Sequence, residues 1–281
     1  MSEPLSTQAP PPGSGPMDSP LPAADLALQS AELTLNDLAI RWQASMSAAA
    51  IGAEAMRGAD RRAQALGVSG WELMRNAGAA VAAGARALLL DRGRWGEGPI
   101  LVLAGPGNNG GDGSVAAAFL ARGPHAGKER FAAVALIATE PRPTTPDAAR
   151  AWDRLGQDAN VERLHAATAL EVALLGHGVE HASLIIDALL GTGVRGPLRE
   201  PVRAAVELIE RARAAGVPVL AVDTPTSVDL SSGDASDPVV KADVTVTFHR
   251  PKLGLVARRG PAQAGRVLVA PIGIPNAADA I

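Results

Sequence analysis

The chain has 281 residues, enough for one large α/β domain with an extension. Hydrophobic residues make up 47% of it, but aromatic residues only 2%, so Ala, Val, Leu and Ile must build the core. The net charge of −3 gives no electrostatic reason to expect a nucleic acid or an anionic membrane as partner.

The sequence contains no cysteine, which excludes disulfides, thiolate nucleophiles and thiolate metal ligands together. Its first residues lack the basic flank and apolar stretch of a signal peptide. No run approaches the ~20 apolar residues that span a bilayer. We therefore expect a cytoplasmic protein without membrane contact.

The first 47 residues are rich in Pro, Ser and Ala, and the first 24 hold too few apolar side chains to offset ordering entropy. We predict a disordered tail over residues 1–47, with a possible short helix between Leu33 and Trp42. The folded domain is predicted to span residues 48–281. Helical spacing predicts one helix from Met56 to a stop at Gly67, and a second over Ser69–Leu90.

From residue 99 onward, short apolar runs alternate with helical patterns. Strands are predicted at 100–104, 131–138, 184–189, 217–222, 244–248 and 266–270, and helices at 114–121, 146–155 and 200–215. Strands separated by helices indicate right-handed βαβ units. The pattern predicts a mostly parallel central sheet with helices on both faces.

A glycine-rich loop, Gly105–Gly113, lies between the first of these strands and a helix. Its first six residues match G-x-G-x-x-G, and its glycines allow close backbone approach beside the free N–H groups of a helix N-terminus. That match alone is weak, and a tight turn is the alternative. Asn108, Asn109 and Asp112 add side-chain donors and acceptors that a phosphate cradle does not need. The loop therefore predicts a site for a nucleotide-like substrate.

Two later strands also carry carboxylates at their carboxyl ends. Asp187 interrupts an apolar strand, and Asp223 ends another and is followed by Thr226. Read singly, each aspartate is about as typical of a residue that only satisfies a nearby loop. Ligands of open parallel sheets bind at the carboxyl ends of the strands, so these groups converge with the glycine loop. Such oxygen donors suit potassium, sodium or magnesium, and spacing does not choose among them.

Two other motifs are weaker. The residues from His177 to His181 match H-x-x-E-H, but they lie in a glycine-containing connection rather than on a clear helix, so we do not predict zinc. An NAD-dependent dehydrogenase would share the glycine loop. It would also need an acid or base for hydride transfer, and no histidine is placed for that role.

From about Ala53 to Pro275 the chain resembles the NAD(P)H-hydrate epimerase family, whose domain is often called YjeF N-terminal. The resemblance is carried by the glycine-asparagine loop and, in order along the chain, by Met56-Arg57 with Asp60, Leu73-Met74 with Asn76-Ala77-Gly78, Asp187-Ala188-Leu189, Gly191-Thr192-Gly193, Val222-Asp223 with Pro225, Phe248 with Pro251-Lys252, and Ile272–Pro275. It implies a Rossmann-like three-layer α/β sandwich. It also implies an isomerase that interconverts the R and S forms of hydrated NADH and NADPH (NADHX and NADPHX) in cofactor repair.

The resemblance also implies roles for individual residues. Asp187 and Asp223 are the expected catalytic carboxylates, and Asn109, Asp187 and Thr226 are expected to hold one K⁺ per subunit. Substrate contacts are expected from Asp223 and from two segments: Asn108, Asn109, Gly110, Gly111 and Asp112, and Gly191, Thr192, Gly193, Val194, Arg195, Gly196 and Pro197.

The chain departs from the family at three places. It has Pro225-Thr226-Ser227 where the family has Pro-Ser-Gly, Arg75 where the family has Glu, and Ala118 where the family has Arg. The resemblance implies a homodimer and a stand-alone epimerase served by a separate dehydratase. The alternative is a non-catalytic nucleotide-binding or dimerising scaffold of the same fold. Such relatives tend to lose the site acids, whereas Asp112, Asp187 and Asp223 remain.

Overall fold

The computed structural model describes residues 20–122, 132–191 and 196–279. Within these ranges, seven strands form an all-parallel sheet in the order β3-β2-β1-β4-β5-β6-β7. The strands are β1 (Ile100–Ala104), β2 (Ala132–Ile137), β3 (Val161–Ala166), β4 (Leu184–Ala188), β5 (Val219–Val222), β6 (Val244–Phe248) and β7 (Arg266–Ala270). The predicted parallel α/β architecture is confirmed.

Helices cover both faces of the sheet, and each face has its own core. Val102 of β1 packs in the core shared with α4 and α5, whereas its neighbour Leu103 packs in the core shared with α7 and α8. The helices are α1 (Leu35–Arg41), α2 (Gln43–Met46), α3 (Ala53–Ala65), α4 (Gly70–Asp91), α5 (Asn108–Ala121), α6 (Pro146–Leu155), α7 (Ala169–Leu175), α8 (Val202–Ala214), α9 (Leu253–Val256) and α10 (Gly260–Ala264). None of the helices in the described ranges combines the length and apolar character needed to cross a bilayer.

Apart from the short helices α2, α9 and α10, the sequence prediction missed two elements, β3 and α7. Strand β3 pairs with β2 at the edge of the sheet, and its middle residues alternate between half-buried and exposed. Its sequence, V-E-R-L-H-A, therefore lacks the apolar run that marks the inner strands. Helix α7 is only two turns long, too short for a clear helical period, although Thr168 and Glu171 form a capping box at its start.

The folded part begins well before the predicted boundary at residue 48. Helix α1 falls inside the predicted short helix, but the surrounding segment packs on the domain, with Leu38 and Trp42 0% and 3% exposed in the α4-side core. The buried Arg86 of α4 donates a hydrogen bond to the carbonyl of Leu28. The boundary is therefore wrong for residues 20–47, while the predicted disorder of residues 1–19 lies outside the described residues.

Candidate active site

The carboxyl ends of β1, β4 and β5 meet at one edge of the sheet. Asp187 of β4 is in register with Leu103 of β1 and with Ala221 of β5. A cleft of about 540 Å³ opens at this edge, and we call it the active-site cleft. Among the predicted site residues, it is lined by Asn108, Asn109, Asp112, Gly191 and Asp223. Polar groups far apart in the sequence are thus brought together.

The glycine-rich segment is largely helical, because α5 begins at Asn108 rather than at the predicted residue 114. Glycine is a weak helix former, but here close packing requires it. A Cβ on Gly105 would overlap the carbonyl oxygen of Leu189, and a Cβ on Gly110 would overlap that of Gly105. Gly111 is similarly packed against Met74. The free N–H groups of the first turn of α5 consequently lie beside the cleft, where they favour an anion.

Asp187 and Thr226 form a buried pair behind the cleft, and both are 0% exposed. Oδ2 of Asp187 accepts a hydrogen bond from the Thr226 backbone N–H at 2.8 Å, and Oδ1 accepts one from the Thr226 hydroxyl at 2.8 Å. Burial raises the pKa of Asp187 to about 6, although the bonds from Thr226 oppose the shift. No basic side chain of the described ranges lies within ion-pair distance of this carboxylate.

Asn109 lies next to this pair through a shared segment, Leu189–Gly191. The Leu190 N–H donates to the Thr226 hydroxyl oxygen at 3.3 Å, and a Cβ on Gly191 would lie 3.0 Å from Oδ1 of Asn109. The Asn109 Nδ2 is buried without a hydrogen-bond partner in the described part of the chain. An amide oxygen, a hydroxyl oxygen and a single carboxylate without a basic partner are a donor set that fits a hard cation of low charge.

Asp223 is held at the other side of the cleft by a threonine and a lysine. It follows β5 with a φ of 62°, and its Oδ1 accepts a hydrogen bond from the Thr247 hydroxyl at 2.8 Å. The Nζ of Lys252 lies 3.3 Å from the same oxygen, and Lys252 is 0% exposed. Burial lowers the pKa of Lys252, whereas the charge of Asp223 opposes that shift. In the sequence, Lys252 stood out only as part of the resemblance, because nothing in its spacing indicates burial.

Asp112 completes a group of three carboxylates in the cleft, with Asp223 and with Asp60 of α3. Burial raises the pKa of Asp112 well above its usual range, and the negative charges of Asp223 and Asp60 raise it further. Burial also raises the pKa of Asp60. Asn108 is fixed at the start of α5, where its Oδ1 accepts a hydrogen bond from the Thr145 hydroxyl at 2.6 Å.

The remaining predicted residues lie elsewhere. Thr192, Gly193, Val194 and Arg195 lie outside the described residues. Gly196 borders a neighbouring cavity of about 180 Å³, and Pro197 is exposed.

Of the three departures from the family pattern, one lies close to the proposed ion ligands. Ser227 has a φ of 77°, and its buried hydroxyl lacks a hydrogen-bond partner in the described ranges. Arg75 and Ala118 line a separate groove beside Trp71 and Phe119, away from the cleft. Only the serine therefore bears directly on the site.

The chain is similar to several known proteins. The sequence model of the family described as YjeF-related protein N-terminus matches residues 70–254. The chain belongs to this family. The NAD(P)H-hydrate epimerase of Clavibacter michiganensis is 37% identical to it, over 82% of this chain and 94% of that protein. The NAD(P)H-hydrate epimerase of Cenarchaeum symbiosum is 36% identical, over 74% of this chain and 87% of that protein.

Other relatives are longer. The bifunctional NAD(P)H-hydrate repair enzyme Nnr of Pyrobaculum aerophilum is 41% identical over 79% of this chain, a match that covers 41% of its own length. The chain thus spans about two fifths of the length of such bifunctional relatives. The crystal structure of the yeast protein ynu0 (YNL200c) has a similar fold, with a TM-score of 0.63 and 24% identity over 80% of this chain and 87% of that one.

Proposed function

We propose that this chain is an epimerase that interconverts the R and S forms of NADHX and NADPHX. The observation that carries the proposal is the pair of carboxylates, Asp112 and Asp223, in a cleft beside the N-terminus of α5. Relatives of nearly the same length named NAD(P)H-hydrate epimerase support it. The helix N-terminus would receive the anionic part of a dinucleotide, which leaves the carboxylates for the hydrated ring.

The chemistry requires one hydroxyl to leave and another to return. The C6 hydroxyl is next to the ring nitrogen, whose lone pair assists its departure and leaves an iminium-like cation. Asp112, whose pKa is raised by burial and by neighbouring carboxylates, is assigned as the acid that donates a proton, so that the hydroxyl leaves as water. Water then adds to the opposite face of the ring, and Asp223 accepts its proton. The reverse reaction exchanges the two roles, and such proton transfers contribute roughly 10²- to 10⁴-fold.

The two aspartates expected to be catalytic differ in their access to the cleft. Asp223 lines it, whereas Asp187 is fully buried and is absent from the described lining. We therefore assign contact with the reacting atoms to Asp223 and a binding role to Asp187.

We also propose that Asn109, Asp187 and Thr226 hold one K⁺ per subunit. Three features of the described ranges support this: a fully buried carboxylate without a basic partner, a hydroxyl bonded to it, and the Asn109 amide oxygen beside Gly191. When bound, the ion supplies a positive charge that favours an anionic substrate. The homodimer and the separate dehydratase stay predictions.

The test is to incubate the purified protein with stereochemically pure S- or R-NADHX in KCl and to follow the other epimer by chromatography. The reaction should exceed the enzyme-free rate and fall at least about 10²-fold in Asp223→Asn. Asp153→Asn, at an exposed ion pair on α6, is the matched control and should keep full activity. If the wild type gave no interconversion above the blank in KCl, the scaffold alternative would be favoured.

A further inference from the structure

Lys252 is a buried lysine to which the proposed reaction assigns no task. It precedes α9, and its side chain turns back to the carboxyl end of β6, where none of it reaches solvent. Burying an ammonium group costs several kcal/mol unless its charge and its hydrogens are matched. An apolar side chain of similar length would fill the same space without that cost. The charge itself must therefore serve a purpose.

The contacts of Lys252 lead to one atom in the cleft. Its Nζ donates hydrogen bonds to the Phe248 carbonyl at 2.7 Å, the Thr247 hydroxyl at 2.9 Å and the Arg250 carbonyl at 3.1 Å. These bonds use all three ammonium hydrogens. The Thr247 hydroxyl then donates its own hydrogen to Oδ1 of Asp223, the oxygen that lies 3.3 Å from Nζ.

The two carboxylate oxygens of Asp223 differ in their bonding partners. The hydrogen bond and the ion pair that the described residues make with this carboxylate both end on Oδ1. Asp223 also lines the cleft, where Asp112 and Asp60 place two more carboxyl groups. These neighbours repel the Asp223 carboxylate, and the buried cation that contacts Oδ1 holds it in place against that repulsion.

We propose that Lys252 is a positioning residue for the epimerisation: with Thr247, it fixes Oδ1 of Asp223, so that Oδ2 accepts the proton of the incoming water. This proposal rests on the proposed function. The two carboxylates then have different roles in catalysis, and Asp223, which is paired with the lysine, acts as the base. Asp112, whose pKa is raised by burial and by Asp223, acts as the acid.

The test is a double-mutant cycle with Lys252→Met, Asp223→Asn and the combination of both. Lys252→Met should lower kcat by about 10²-fold with little change in KM, because substrate binding does not use the lysine. In the Asp223→Asn background the same change should lower kcat by less than about 2-fold, because the carboxylate that it positions is gone. Lys241→Met, at an exposed lysine, is the matched control and should keep the wild-type kcat.

Thermal unfolding of the same variants gives a readout that does not need activity. Lys252→Met leaves the Asp223 charge without its buried partner and should lower the Tm by roughly 6 °C or more. Adding Asp223→Asn should recover more than half of that loss. If the double variant were no more stable than Lys252→Met, the pairing would be overturned.

A failure of the Lys252 proposal can be distinguished from a failure of the proposed epimerase function. An active wild type in which the kcat losses of the single variants multiply in the double variant would overturn the role of Lys252 and leave the epimerase function standing. A wild-type protein without epimerase activity would overturn both the proposed function and this catalytic role.

Discussion

Ser227 is expected to weaken the fold, and replacing it by glycine should stabilise the protein. The residue has a φ of 77°, in the left-handed region, which costs a side-chain-bearing residue roughly 1–2 kcal/mol. Its buried hydroxyl, unpaired in the described ranges, costs about 1 kcal/mol or more. Glycine offsets part of the gain, since it adds roughly 0.4–1 kcal/mol of entropy to the unfolded chain. Ser227→Gly should therefore raise the free energy of unfolding by about 1 kcal/mol or more.

Urea unfolding and calorimetry would measure this effect, which corresponds to about 2–4 °C in Tm for a chain of this size. Ser231→Gly is the control. That serine is exposed and its backbone is not left-handed, and its hydroxyl oxygen accepts a hydrogen bond from the Ala53 N–H at 3.0 Å. The control should be destabilised by about 1 kcal/mol. Equal destabilisation of both variants would refute the strain and the unpaired hydroxyl at Ser227.

Three further outcomes are expected. Asp112→Asn should raise the Tm more at pH 8 than at pH 4. A carboxyl whose pKa is raised in the folded state destabilises the protein as the pH rises above the pKa of the unfolded state. An equal gain at both pH values would contradict the raised pKa. Replacing choline chloride by KCl at constant ionic strength should raise the Tm of the wild type but not that of Asp187→Asn. At a K⁺ concentration ten times its Kd, the gain in the free energy of unfolding is about 1.4 kcal/mol. An equal rise in both proteins, measured by calorimetry, would contradict K⁺ binding at Asp187. Gly110→Ala should lower the Tm severely because its Cβ would meet the Gly105 carbonyl, whereas Gly107→Ala, with open space around its Cβ, should unfold close to the wild-type temperature.

The inner part of the fold could be predicted because parallel strands covered on both faces are apolar throughout. Strand β1 is such a run, and β4 is one except for Asp187; the bounds predicted for Arg266–Ala270 and Pro146–Leu155 are those of the structure. The start of α5 could not be predicted from local preference. Its glycines favour a loop in isolation, and in the fold they pack closely against Gly105, Met74 and Ala188.

The site was predictable to the extent that sheet geometry determines it. Asp187 and Asp223 end neighbouring parallel strands, so their proximity follows from the strand order. The complete burial of Asp187 and the position of Asp60 in the cleft could not be predicted, because they depend on how loops and α3 cover the edge of the sheet. The burial of Lys252 depends on a backbone turn after β6, which apolar periodicity does not encode.

The docking of residues 20–47 on the domain has a spectroscopic consequence. The chain has four tryptophans and no tyrosine, so its ultraviolet emission comes almost entirely from indole rings. Trp42 belongs to the docked segment and is almost completely buried in the core beside α4. The difference in emission between the wild type and Trp42→Phe therefore isolates a natural probe of this segment. A shift of that signal to longer wavelength below the main melting transition would show the segment detaching while the sheet is still folded.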